Sequence, residues 1–194
     1  MFDEMKLKEA LNSYKRDFAQ MIWPHEKYKW QAVKCFQDNW DLNATDFAGM
    51  LKKSLSATGN LLASAKNFPL GMILQFAGIA PEEVRVMFQE LFDESLDVFK
   101  RASRFKLESS KLLELYGNGA AQHYQNENSI SIYLWLRYPD KYYIFKLSEV
   151  KTIGIVLKCD YRFRKGAYLD NLQKNPYLQT APVKLGFSQI GPYI

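Results

Sequence analysis

With 194 residues, 47% of them hydrophobic and 24% charged, the chain has the composition of a folded protein of one sizeable domain, alone or with a small appendage. That balance excludes an intrinsically disordered chain, and the net charge of +5 turns attention to acidic partners. The mixed-charge stretch over residues 1–9 lacks the apolar run of a secretory signal, and the apolar-rich runs at 70–80 and 130–136 are too short to cross a bilayer, so a cytoplasmic protein with no membrane partner is expected.

Leu7, Leu11, Tyr14 and Phe18 recur at helical spacing and predict a first amphipathic helix. Pro24 fits the first turn of a second, which carries Tyr28, Ala32, Val33, Phe36 and Trp40 on its apolar side. Asn43 reads as the N-cap of a third, with Asp46 in a capping-box-like position and Phe47, Met50, Leu51 and Leu55 on one face. Residues 58–67 have a helical composition broken at both ends, the second break being Phe68-Pro69-Leu70-Gly71, after which a short apolar helix resumes over 72–77. Pro81-Glu82-Glu83 opens the next helix, with its proline in the first turn and its acids at the positive end of the dipole. Val84, Met87, Phe88, Leu91 and Phe92 form its inner face. A longer helix is predicted over 95–116, stopped by Gly117-Asn118-Gly119.

Beyond that break the texture changes. Residues 130–136 are apolar on every side, which suits a buried helix capped by Asn128 or a strand paired through a turn at Tyr138-Pro139-Asp140-Lys141 with 142–146. Periodicity does not separate the two; a helix followed by one short strand is the preferred expectation. Ser148 suits the cap of a last helix ending near Leu157, and from Tyr161 the tail is basic, then rich in Pro, Gly and Gln. The expected fold is therefore mainly α. A multi-helix domain over 1–116 is followed by a basic, aromatic-rich unit over 117–194, with at most one or two short strands and an irregular tail.

Charge is unevenly placed. Residues 1–129 hold 16 Lys and Arg against 17 Asp and Glu, whereas 130–194 hold 10 against 4, so the entire basic excess lies in the last third. There it alternates with aromatic residues, running from Trp135 and Arg137 through Lys141, Tyr142, Tyr143 and Lys146 to Arg162, Arg164 and Lys165. Cations for phosphates and flat rings for unstacked bases are what a nucleic-acid surface needs. The same alternation also describes an element with a buried aromatic face and a solvated basic one. Tyr142 and Tyr143 are adjacent, so in a strand only one of them can line a given surface.

Catalytic signals are weak by comparison. No phosphate-binding loop and no dinucleotide fingerprint occurs, so neither nucleotide chemistry nor any cofactor is expected. His123 and Glu127 are four apart, but the glycine-rich break before them argues against a shared helix face and a metal. Cys35 and Cys159 are too few and too far apart for a zinc site or a disulfide framework, and read as free thiols. Asp140 with Glu149 and Lys151 echoes the two carboxylates and lysine of a class of metal-dependent nucleases. The simpler reading makes Asp140 a turn residue and Glu149 the acid that begins a helix.

Three segments carry a resemblance: WPHEKYKWQAVKCFQDNWDL at 23–42, GNLLASAKNFPLGMILQFA at 59–77 and NENSISIYLWLRYPDKYYIFKLS at 126–148. Together they resemble the N-terminal region of McrB-type proteins, the AAA+ GTPase subunits of modification-dependent restriction systems used against phage. The resemblance covers residues 23–165. It implies a non-catalytic DNA-recognition module, reading DNA that includes methylated DNA, with the AAA+ motor and the nuclease supplied by other segments or subunits. The chain is expected to be that region alone, as a fragment or a stand-alone form. The rival expectations are a helical protein-interaction module and, third, the metal-dependent nuclease.

Overall fold

The computed structural model describes residues 3–63, 68–158 and 168–169. Among these the secondary structure is helical, and no strand is present. Helix α1 (Glu4–Asp17) starts where the Asp3 carboxylate accepts a hydrogen bond from the Lys6 amide at 3.1 Å. Lys15 and Arg16 in its last turn suit the negative end of the dipole. A π-helical turn (Phe18–Ile22) then carries the chain into α2 (Trp23–Asn39). Pro24 has no amide to continue the regular ladder, and the wider turn, in which the Trp23 amide donates to the Phe18 carbonyl, absorbs that loss without ending the helix.

Helix α3 (Phe47–Ser54) is capped by Asp46, whose carboxylate accepts from the Gly49 amide at 2.8 Å. Asn43 is not the cap: it sits in a preceding turn, its own amide donating to Asp41 Oδ1 at 2.8 Å. A single turn, α4 (Gly59–Leu62), follows within the stretch of helical composition at 58–67, of which residues 64–67 lie outside the described residues. Pro69 and Pro81 occupy the first turns of α5 (Pro69–Ile79) and α6 (Pro81–Leu91), where a missing amide costs nothing. Pro69 thus begins a helix that the sequence placed three residues later. Helix α7 (Val98–Tyr116) begins at the Asp97 cap, which accepts from the Phe99 and Lys100 amides at 3.1 Å. It starts later than residue 95 because Asp93 captures the Ser95 amide and hydroxyl at 3.0 and 2.6 Å, holding that residue in a turn.

After α7, Asn118 (φ 47°) and Gly119 (φ 80°) are both left-handed, and the Ala120 amide closes the turn onto the Gly117 carbonyl at 2.8 Å. Residues 127–137 form α8 (Glu127–Arg137), which settles the choice at 130–136 in favour of helix. Its cap is Asn126, two residues before the one expected, accepting from the Asn128 and Ser129 amides at 3.0 and 3.2 Å. Residues 142–146 are non-helical and unpaired as strand, and α9 (Leu147–Val156) closes the described helices.

Helix α8 is apolar all round because it is buried all round: Ile130, Tyr133, Leu134 and Leu136 have no exposed surface. It packs on α2 and belongs to the same apolar cluster as Phe36, Phe88 and Phe105. Phe88 of α6 is the hub of that cluster. Its ring meets those of Trp40, Phe92, Phe105 and Tyr133 at centroid separations between 5.2 and 5.6 Å. Three of these contacts are edge-on and the one with Phe92 is tilted, and aromatic pairs of this kind add about 0.5–1.5 kcal/mol each beyond area burial.

Helix ends are tied by side chains from elsewhere. Gln37 of α2 donates to the Leu136 and Arg137 carbonyls at the end of α8, at 2.6 and 2.9 Å. Gln75 of α5 donates to the Tyr116 carbonyl that ends α7 at 3.2 Å, and Arg101 of α7 to the Leu91 carbonyl that ends α6 at 2.6 Å. Carbonyls that the helices themselves leave without donors are thereby satisfied. No helix among the described residues is long and apolar enough to cross a membrane.

Candidate nucleic-acid interface

The tight turn at 138–141 controls where the candidate residues point. Its Lys141 and Tyr142 amides both donate to the Tyr138 carbonyl at 3.0 Å, and Tyr138 itself is pinned by a hydroxyl bond to the Phe92 carbonyl at 2.7 Å. This aims Tyr142 inward, where it is only 4% exposed. Its hydroxyl donates to Glu94 Oε1 and accepts from Arg101 Nη2, both at 2.8 Å. Lys141 is exposed and pairs with the other oxygen of Glu94. Arg101, whose side chain is 2% exposed, completes the knot by pairing with Glu94 at 2.9 Å.

The ionisation of this knot follows from its contacts. Burial opposes the charged form of Glu94, but the bonds from Lys141 and Tyr142 and the nearby Arg101 outweigh it and hold the carboxyl below its ordinary range. Burial, reinforced by the Glu94 bond, pushes the Tyr142 phenol up to about 12, so it remains a donor.

Trp135 is 5% exposed on α8, with its ring 5.6 Å from that of Trp30. Tyr143 is half-buried against Tyr168 at 5.3 Å, and Phe145 is buried beside the same ring. Lys146 is exposed and pairs with Glu149 at 3.1 Å, and Arg137 is half-buried with its guanidinium 5.3 Å from the Tyr138 ring. Arg162, Arg164 and Lys165, like Cys159, lie outside the described residues; Cys35 is a free thiol.

The structure thus brings Lys141 and Tyr142 together on one carboxylate and sends Trp135 and Tyr142 into the core rather than onto a surface. Two partners in the knot, Glu94 and Arg101, escaped the sequence reading. Arg101 had a signal: with Ala102, Phe105 and Leu112 it lies on the buried stripe of α7, and a cation at a core position needs a carboxylate. Glu94, in a polar turn, had none.

The residues weighed for metal chemistry are engaged otherwise. His123 Nδ1 accepts from the Gln125 amide at 2.9 Å, and burial holds its pKa below the ordinary value. Glu127 pairs with Lys106 at 3.1 Å and accepts from the Leu169 amide at 3.1 Å. Asp140 is exposed in the turn, while Glu149 and Lys151 lie on α9, so the strand context of the nuclease motif is missing from these residues. Among the described residues no group of three or more His, Cys, Asp or Glu side chains is placed to hold a metal. Comparison with protein-family models, with curated proteins and with solved structures gives no match.

Proposed function

We propose that the chain is a non-catalytic DNA-binding module that meets the phosphate backbone with its basic last third. In this reading it delivers DNA to an AAA+ motor and a nuclease carried by other segments or subunits. The observation that carries it is the segregation of charge, 10 basic residues against 4 acidic ones after residue 129 in a chain otherwise near neutral. The resemblance of residues 23–165 to the N-terminal region of McrB-type restriction subunits supports the same role. Within the described part, Lys141 and Lys146 already hold carboxylates. The phosphate contacts are therefore assigned chiefly to Arg137, Lys151, Lys158, Arg162, Arg164 and Lys165. Exposed ion pairs are weak enough for a phosphate to displace the acid, so Lys141 and Lys146 join when DNA arrives.

Base reading is a separate matter. Trp135 and Tyr142 are buried, which leaves Tyr143 as the remaining candidate ring for stacking on a flipped base. Binding without base discrimination is the expected behaviour of such a surface.

The test is a titration with duplex DNA, methylated and unmethylated, at several salt concentrations. Affinity should fall steeply with salt, with a log–log slope of about −0.9 per phosphate contact. Joint replacement of Arg162, Arg164 and Lys165 by Ala should make the slope shallower. Binding that ignores both salt and this variant would falsify the phosphate role.

A further inference from the structure

Helices α6 and α7 pack as an antiparallel pair, and on their outer side they leave an open groove of about 500 Å³. Its floor is apolar: Met87 and Leu112 are nearly covered, whereas Val86 is 50% and Leu115 70% exposed. Leu115 is among the most exposed large apolar side chains of the described residues, and it stands on a helix whose other side is core. An aliphatic side chain kept in water forgoes about 1.5–3 kcal/mol that burial would return.

The rim has a definite sign. Glu82, Glu83, Glu90 and Glu108 border the groove against Arg104 and Lys111, four acids to two bases. Both bases are already committed, Arg104 to Glu90 and Glu108 at 3.6 and 3.1 Å, and Lys111 to Glu108 at 2.9 Å. At the opposite end, Glu82 is held by Arg85 and Glu83 is exposed. With Arg85 counted, the border is four acids against three bases, and Glu83 is the acid with no ion pair, so the groove offers an apolar seat with one free carboxylate at its rim.

We propose that this groove docks a basic amphipathic helix of a partner protein. Leucine-type side chains at i, i+3 or i+4 and i+7 sit on Val86 and Leu115, and flanking Lys or Arg meet the Glu rim. This border has no basic excess to hold a phosphate backbone, unlike the last third of the chain. The site goes beyond DNA binding: it is where the module is held by the assembly it serves.

A fluorescent amphipathic helical peptide, with leucines at that spacing and lysines at the remaining positions, is the probe for the full-length chain. We expect saturable binding that weakens with salt. It should drop at least tenfold in Leu115→Lys and in Val86→Lys, both exposed positions at which thermal stability should be retained. Met21→Lys, equally exposed but outside the groove, should bind as the parent does. Methyl NMR should place the perturbed resonances at Val86 and Leu115. DNA affinity should be unchanged in the groove variants, so loss of DNA binding elsewhere leaves this result untouched. Equal binding of a twin peptide carrying glutamates for lysines, or binding that survives both groove variants, overturns the proposal. So does a concentration-dependent dimer that Leu115→Lys dissolves, since the occupant would then be a second copy.

Discussion

Arg101 is the residue on which the polar interior turns. A guanidinium almost without exposure is tolerable only because its charge meets Glu94 and its donors meet the Leu91 carbonyl and the Tyr142 hydroxyl. Its Nε has no hydrogen-bond partner, so the arrangement has little to spare. Arg101→Met should cost about 3–5 kcal/mol in chemical denaturation, because the Leu91 carbonyl loses its donor and Glu94 its buried cation together. Glu94 gives the same knot a pH signature. Its carboxyl is held below the ordinary range, so its contribution is complete above the unfolded-state value of about 4.3 and is lost as pH falls through the lower folded value. Stability measured downward from pH 5 should therefore decline less steeply in Glu94→Gln than in the parent.

A second test at this scale concerns Gln125, buried completely, which accepts from the Tyr133 hydroxyl at 2.9 Å and donates to the Pro69 carbonyl at 2.7 Å. Tyr133→Phe should destabilise by about 1–3 kcal/mol, since the Gln125 oxygen is left buried without its donor.

Among the elements, apolar spacing named the helices and local polar geometry placed their ends. The stripes at 7–18, 28–40, 47–55 and 84–92 fall on helices as read, with Trp40, Leu55 and Phe92 the capping residues just past the helix ends, because burying one face is a demand that recurs along the whole helix. Caps are decided by one side chain, and sequence offers competitors. Asn43 and Asp46 both suit a cap, and so do Asn126 and Asn128; in each pair the structure uses the one whose oxygen reaches an amide two or three residues on. Asp46→Ala should accordingly cost about 1 kcal/mol in thermal or urea unfolding, while Asn43→Ala should cost only a few tenths. Gly117 has a different constraint. A Cβ there would lie 2.4 Å from the Leu113 carbonyl oxygen, a backbone atom with no freedom to swing aside. Gly117→Ala should lower the melting temperature by several degrees.

For the molecule as a whole, the aromatic-rich stretch after Gly117 was where the two readings of one pattern competed. Basic residues alternating with rings describe both a nucleic-acid surface and a core wall with a solvated back, and burial, which decides, is a property of contacts distant in sequence. Trp135 meets Trp30, and Tyr142 meets Arg101 and Glu94, none of which a local window contains. The two readings part experimentally. Trp135→Ala should destabilise the fold by about 3–5 kcal/mol, with DNA affinity of the remaining folded fraction unchanged. A stable variant with weakened DNA binding would return Trp135 to the surface. The charge asymmetry, in contrast, was fully legible, because counting needs no geometry.

The glutamine and arginine ties at the helix ends bear on how the protein comes apart. An isolated helix frays from its last turn, opening amides one by one at little cost. Here the last turns of α6, α7 and α8 are each held from another helix. The Gln37 bond joins residues 99 apart in the chain, so the end of α8 stays shut for as long as α2 stays docked. Amide hydrogen exchange at Tyr138, whose donor reaches back to the Leu134 carbonyl, should then proceed at close to the rate of global opening rather than that of a fraying end. In Gln37→Ala the same amide should exchange much faster, by a local opening, while protection at Phe88 and Phe105 in the centre changes little.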